Sequence, residues 1–170
     1  TYTSWAAEVK KAFNAKFYDA ATKKYATGSQ TAMAMPLAVG LVEDANKAGV
    51  LDALKTDIIT NESALTAGDI GFHFLVEALT KNGSAQTVYD MNSDDKVPGY
   101  GFQLKKGATA LTESWQALDS KSNNHLMLGH LMQWFYDGVG GIKQEDTSVA
   151  YKNIIIAPEP ILGLDKGSVS

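Results

Sequence analysis

The chain has 170 residues, 45% of them hydrophobic, which is enough to build one globular domain with a sizeable core. Its net charge of -4, with no run of Lys or Arg, argues against a nucleic-acid surface. Cysteine is absent, so disulfides and thiolate metal sites are excluded while the compartment stays open.

Helical spacing of Trp5, Val9, Ala12, Phe13 and Phe17 predicts a first amphipathic helix over Ser4 to Phe17 with one buried face, capped by Thr3 or Ser4. Tyr18 to Ser29 reads as a polar connection. Gln30 to Leu41 is small and apolar around Pro36, as expected of a tightly packed helix, kinked near the proline, whose backbone lies deep in the core. The apolar run Ala32 to Val42 is too short, and too interrupted by Pro36 and Gly40, to span a bilayer. Asp44 caps a third, peripheral helix with Val50, Leu51, Leu54 and Ile58 on one face.

Phe72, Leu75, Val76 and Leu79 define a fourth helix that stops at Asn82-Gly83, and Ser84 opens a fifth through Met91. Pro98-Gly99-Tyr100-Gly101 reads as backbone too irregular to extend a helix. A sixth helix is expected from Asn124 to Val139, nearly buried all round, with Leu128, Leu131, Met132, Phe135 and Val139 on one face and Met127 and Trp134 widening it. Beyond Gly140-Gly141 the pattern changes: Asn153 to Ala157 reads as a strand, and a strand-rich tail that includes Ile161 to Leu164 suggests the start of a β-domain. A chain that opens at Thr1 without Met, and without a basic start followed by an apolar core, reads as a piece of something longer.

Between the irregular backbone and the sixth helix lies Gly107-Ala108-Thr109-Ala110-Leu111-Thr112-Glu113-Ser114-Trp115, which sets one carboxylate beside an indole. Carbohydrate sites use both parts: an aromatic face for the apolar side of a sugar ring, and a carboxylate for proton transfer or hydroxyl recognition. Spacing alone equally allows a solvated charge beside a packed ring. The other candidates are weaker. Asp94-Asp95 reads as a solvated turn that could hold a cation only loosely, and Asp69 as a carboxylate complementing a helix N-terminus. His73 and His130 read as core or boundary histidines, and three scattered His without Cys argue against zinc. No metal or cofactor is expected.

The segment Gly107 to Trp115, followed by Asn124-His125-Leu126-Met127-Leu128-Gly129 and Trp134-Phe135-Tyr136, resembles the late part of the catalytic domain of family 78 glycoside hydrolases, the bacterial α-L-rhamnosidases. Upstream, Lys16-Phe17-Tyr18-Asp19, Gly28 to Ala32, Pro36-Leu37 and Leu65 to Gly68 follow in the same order. The resemblance implies a mainly α fold: the later part of an (α/α)6 barrel over residues 1–145, and the truncated start of a β-sandwich over 146–170. It implies inverting hydrolysis of a rhamnosyl glycoside or oligosaccharide, with Glu113 as general base. His125 would contact the sugar or orient the site, and Trp115 and Tyr100 would wall the pocket, although each of the three could instead serve packing or capping. Asn124 reads as a cap of the helix rather than a substrate contact.

Two departures qualify these implications. The family often carries Trp directly before the catalytic Glu, where this chain has Thr112, which puts rhamnose specificity in doubt. The general acid lies upstream of the part represented here, so the piece alone is expected to be inactive and to self-associate through the face meant for its missing N-terminal part. Two rivals stand beside this reading: another glycosidase on the same barrel, and a non-catalytic carbohydrate-binding or structural helical domain.

Overall fold

The computed structural model describes residues 1–168. Helices dominate: α1 (Tyr2–Phe17), α2 (Gln30–Ala38), α3 (Asp44–Thr60), α4 (Asp69–Lys81), α5 (Ala85–Ser93), α6 (Tyr100–Lys105) and the short α7 (Leu131–Trp134). Two small antiparallel hairpins complete the described residues, β1 (Tyr18–Asp19) with β2 (Lys24–Tyr25), and β3 (Ile142–Gln144) with β4 (Ile154–Ile156).

α4 is the centre. Its Phe72, Leu75, Val76, Ala78 and Leu79 are all buried, and it packs against α2, whose Met33, Ala34 and Leu37 face it. The two backbones come close because position 71 is glycine: a Cβ there would fall 1.9 Å from Thr31 Oγ1. Pro36 sits in the last turn of α2, where its carbonyl accepts from the Leu41 amide at 2.9 Å as the helix unwinds. α3 covers the other side of α2 with Val50, Leu54 and Ile58, as its period predicts. It opens one residue earlier than expected, with Glu43 at the cap and Asp44 in the first turn.

Loop 64–67 is held by one side chain. Gln30, fully buried at the start of α2, donates from Nε2 to the Ala64 carbonyl at 2.9 Å, and its Oε1 accepts from the Thr66 and Ala67 amides at 2.9 and 3.1 Å. A buried amide with both ends engaged fixes a loop that has no regular structure of its own.

Several expectations are corrected. α1 has the predicted period, yet no residue on it is buried: Trp5 is 64% and Val9 59% exposed. Its hold on the body comes from the second half, where Phe13 packs on Tyr25 and Asn14 Nδ2 donates to the Leu41 carbonyl at 2.8 Å. Its N-cap is Thr1, in a capping box with Ser4. The connection from Tyr18 contains the β1–β2 hairpin, with Tyr25 buried and its hydroxyl bonded to Asn14 Oδ1.

The irregular stretch after Pro98 turns at once into α6. Glycines at 99 and 101 permit this because a Cβ there would lie 2.6 Å from the Met91 carbonyl oxygen and 2.4 Å from that of Asp94. The expected helix 124–139 is instead a 3-10 turn (Leu126–Leu128), the four-residue α7 and a π-type turn (Phe135–Val139). It is not buried all round: Leu128 and Trp134 are, whereas Leu126, Met132 and Phe135 are exposed. The strand at Ile154–Ile156 forms and pairs with β3, but Ile161 to Leu164 is a turn. That turn is pinned to α5 by Gln86 Oε1, which accepts from the Leu162 amide at 2.7 Å, and by the Tyr89 hydroxyl, which donates to the Gly163 carbonyl at 3.2 Å.

Candidate active site

Gly107, with φ at +85°, ends α6 in a conformation that favours glycine and releases the chain into the Glu113 segment. Residues 108–125 form neither helix nor strand, so side chains set the path of the backbone. Thr112 is buried and its hydroxyl donates to the Ser114 carbonyl at 2.7 Å; buried Gln103 donates to the same carbonyl at 3.1 Å. Trp115 is 6% exposed, its Nε1 donates to the Ala67 carbonyl at 2.7 Å, and its ring meets Phe72 and Tyr100 edge-on at 4.9 and 5.4 Å between centroids.

Glu113 therefore stands between buried Thr112 and, two residues on, buried Trp115, and is itself exposed. Its side chain is 39% exposed. The Glu113 amide donates to the Ser122 carbonyl at 2.8 Å, and the Ser122 amide donates back to Oε2 at 3.1 Å. Lys121 Nζ lies 3.9 Å from Oε1, an open pairing worth little in water. Nearby, the His125 amide donates to the Leu111 carbonyl at 2.8 Å, so the two flanks of the loop, 111–113 and 122–125, are tied side by side.

This tie sets His125 over the N-terminus of α4, its Nε2 3.5 Å from Asp69 Oδ2. The nitrogen is buried and makes no hydrogen bond of good geometry, while Asp69 Oδ1 accepts from the Ile70 amide at 2.9 Å. Sequence reasoning placed Asp69 at a helix start, where it is, and missed that His125 comes to it. No local pattern marks that contact, because it joins residues from two distant parts of the chain.

Of the four candidate residues, Glu113 and His125 share the two tied flanks of one loop. Trp115 and Tyr100 meet each other beneath it. The Tyr100 hydroxyl is buried without a partner, and burial holds its pKa well above the ordinary phenol value. Its ring borders a largely apolar cavity of about 420 Å³ shared with Leu104, Leu111, Met132 and Phe135.

The remaining titratable groups are in other settings. Asp95 pairs with Lys105 at 3.1 Å, and Asp94 accepts from the Lys96 amide at 2.7 Å. His73 and His130 pack ring to ring at 4.8 Å between α4 and the start of α7; burial and the neighbouring His73 push the His130 pKa down. Among the described residues no group of three His, Cys, Asp or Glu side chains is placed to hold a metal ion, and no helix is long and apolar enough to cross a membrane.

The chain is similar to known proteins in both sequence and fold. A family model described as the bacterial alpha-L-rhamnosidase 6 hairpin glycosidase domain matches residues 1–139. An alpha-L-rhamnosidase of Formosa agariphila is 27% identical over 100% of this chain and 19% of its own length. One of Streptomyces avermitilis is 27% identical over 94% of this chain and 16% of its own. Among solved structures, the alpha-L-rhamnosidase from Dictyoglumus thermophilum superposes with a TM-score of 0.85 at 32% identity, covering 94% of this chain and 18% of that one. The Streptomyces avermitilis enzyme complexed with L-rhamnose superposes at 0.84 and 26% identity, covering 94% and 16%. The chain thus spans less than one fifth of the length of these relatives.

Proposed function

The chain belongs to the bacterial alpha-L-rhamnosidase six-hairpin glycosidase domain family, and from that premise we propose that it is the base-bearing part of an inverting α-L-rhamnosidase. In this reading residues 1–145 are the later part of the barrel, residues 146–170 begin the β-sandwich, and the general acid belongs to the missing N-terminal part of the same protein. The piece alone, holding one carboxylate of the pair, is inactive.

The observation that carries the reading is the setting of Glu113. A carboxylate that is to take a proton from water must reach solvent and stay in place. Glu113 has an outward carboxylate, a backbone N–H that donates to Oε2 and holds it across the loop, and buried residues before and after it that fix its backbone. One water proton passes to Glu113 as the water oxygen attacks the anomeric carbon, and the leaving oxygen takes its proton from the acid supplied elsewhere. Inversion sets the two carboxyls about 6.5–9.5 Å apart, which leaves space for that water. His125 donates to a sugar hydroxyl from the flank tied to the Glu113 segment. Trp115 and Tyr100 act at the pocket wall, Trp115 from below as the anchor of the segment. L-rhamnose, the sugar named with the Streptomyces avermitilis structure, is the glycone we assign.

The test is Glu113→Gln in the full-length protein, assayed on an aryl α-L-rhamnoside with the anomer of the product followed by NMR. A fall in kcat of about 10²–10⁴-fold, with β-rhamnose released first by the unmodified enzyme, is expected. Unchanged hydrolysis would assign the chain to the non-catalytic alternative. Cleavage of another sugar and none of rhamnoside would leave the site and remove the specificity.

A further inference from the structure

The three histidines of the chain gather along α4. Asp69, His73 and Glu77 follow one another at intervals of four residues and so form one stripe on that helix. The segment 125–134 lies against it: His125 Nε2 stands 3.5 Å from Asp69 Oδ2, and the His130 ring packs on that of His73 at 4.8 Å between centroids.

The three rings differ in what an added proton would meet. On His125 it faces Asp69. On His73 it faces Glu77, whose Oε2 is 3.6 Å from His73 Nε2 while Oε1 holds Lys81 at 2.6 Å. Among the described residues no carboxylate comes within ion-pair distance of His130; Asp137, on the π-type turn beyond it, is bonded to Gln133 at 2.9 Å. His130 Nδ1 is buried without a hydrogen bond of good geometry. Burial, and then the neighbouring His73, hold the His130 pKa below its ordinary 6.5, with the Met127 backbone offsetting them in part. Docked on α4, His130 therefore takes a proton less readily than when free of it. The contact is at full strength above about pH 6.5 and weakens as pH falls toward the lowered value.

The segment that carries His130 has little stiffness of its own. It is a 3-10 turn, four residues of α-helix and a π-type turn, each far short of the roughly 12–15 residues an isolated helix needs to hold itself. Its shape depends on its seat, where Leu128 and Trp134 are buried before and after His130.

We propose that the contact of His130 with His73 is an acid-sensitive latch: it seats segment 125–134 on α4 at neutral pH, and protonation of His130 in mild acid releases that segment while the rest of the fold stays in place. The ring of Phe72 lies 6.5 Å from that of His130 and 4.9 Å from that of Trp115, so the seat borders the stack that anchors the Glu113 segment. When the segment lifts, His125 leaves Asp69. That this withdraws a substrate contact rests on the function proposed above; the latch itself does not.

The test is hydrogen exchange of the full-length protein at about pH 7.5 and about pH 5, the range over which histidine changes charge, corrected for the intrinsic rate and read separately over segment 125–134 and over α3. Segment 125–134 is expected to lose protection at least about fivefold relative to α3 at the lower pH, and His130→Gln, which cannot take the proton, to keep it. His73→Gln leaves His130 its burial without the second ring and is expected to show a smaller loss. Equal protection at the two pH values in the unmodified protein, or a loss as steep in either variant, overturns the latch. Rhamnoside turnover is followed over the same range: turnover that holds while 125–134 opens supports the latch and removes His125 from the site, so the two readings fail separately.

Discussion

Replacing Gln30 by Met keeps the length and volume of the side chain and deletes its three hydrogen bonds. The Ala67 amide is buried and would be left without a partner, the Ala64 carbonyl is partly covered, and the Thr66 amide can turn to water. A stranded buried group costs about 1–3 kcal/mol and a bond lost to a half-solvated one about 1, so loop 64–67 should lose about 2–4 kcal/mol of local stability. The effect should travel, because the Ala67 carbonyl receives the Trp115 indole that anchors the Glu113 segment. Hydrogen exchange of the Thr66 and Ala67 amides in the full-length protein reads this locally, with a rise of about 30- to 1,000-fold expected and slower rhamnoside turnover alongside it. A change below about 1 kcal/mol, or roughly fivefold, would refute the reasoning by showing that Gln30 fills space rather than holding the loop.

Alkaline solution should loosen the β1–β2 hairpin. Burial, helped by Tyr18 and Glu43, pushes the Tyr25 pKa from 10.0 up to about 12, so the protonated phenol stabilises the fold fully below pH 10, and that contribution, about 2–3 kcal/mol, fades between pH 10 and 12. Tyr25→Phe should abolish this part of the alkaline limb, monitored by exchange of residues 18–25. Gly138→Ala would put a Cβ 2.6 Å from the Trp134 indole, which is buried and cannot swing away, so a loss of about 1–3 kcal/mol and a shifted Trp134 emission are expected. His125→Ala should lower kcat/KM on rhamnoside by about 10- to 100-fold, the loss of a hydrogen bond to substrate made by a polar group in a partly covered site. Asp69→Asn, which removes a half-exposed pairing, should change it by less than about fivefold; equal effects would mean that the two residues act as one unit.

How far the sequence predicts the molecule depends on whether both sides of a contact lie in this chain. The faces of α2 to α5 were legible because each apolar stripe is met by another: Leu54 and Ile58 of α3 close on α2, and Phe72 and Leu75 of α4 close on Met33 and Trp115. α1 shows the limit. Trp5 and Val9 keep a helical period, but periodicity reports an apolar face and not what covers it. The stretch 124–139 fails for a different reason: one run of apolar residues is divided among three kinds of turn, so no single face persists and Met132 and Phe135 come out exposed. At 99 and 101 glycine was read as a breaker, where its use is to let α6 approach the end of α5. The exposure of Glu113 between buried Thr112 and Trp115, and the meeting of His125 with Asp69, depend on tertiary placement that no local pattern encodes.

Glu113 has a buried side chain immediately before it and another two residues after it, and the return strap at Ser122 holds its carboxylate from across the loop. The largely exposed stretch 116–120 between these fixed points supplies none of the bonds that brace the carboxylate. Length and composition can change there at small entropic cost, since each doubling of a loop costs only about 0.6 kcal/mol, while the carboxylate stays where it is. That separation makes 116–120 a stretch whose sequence can vary without moving Glu113.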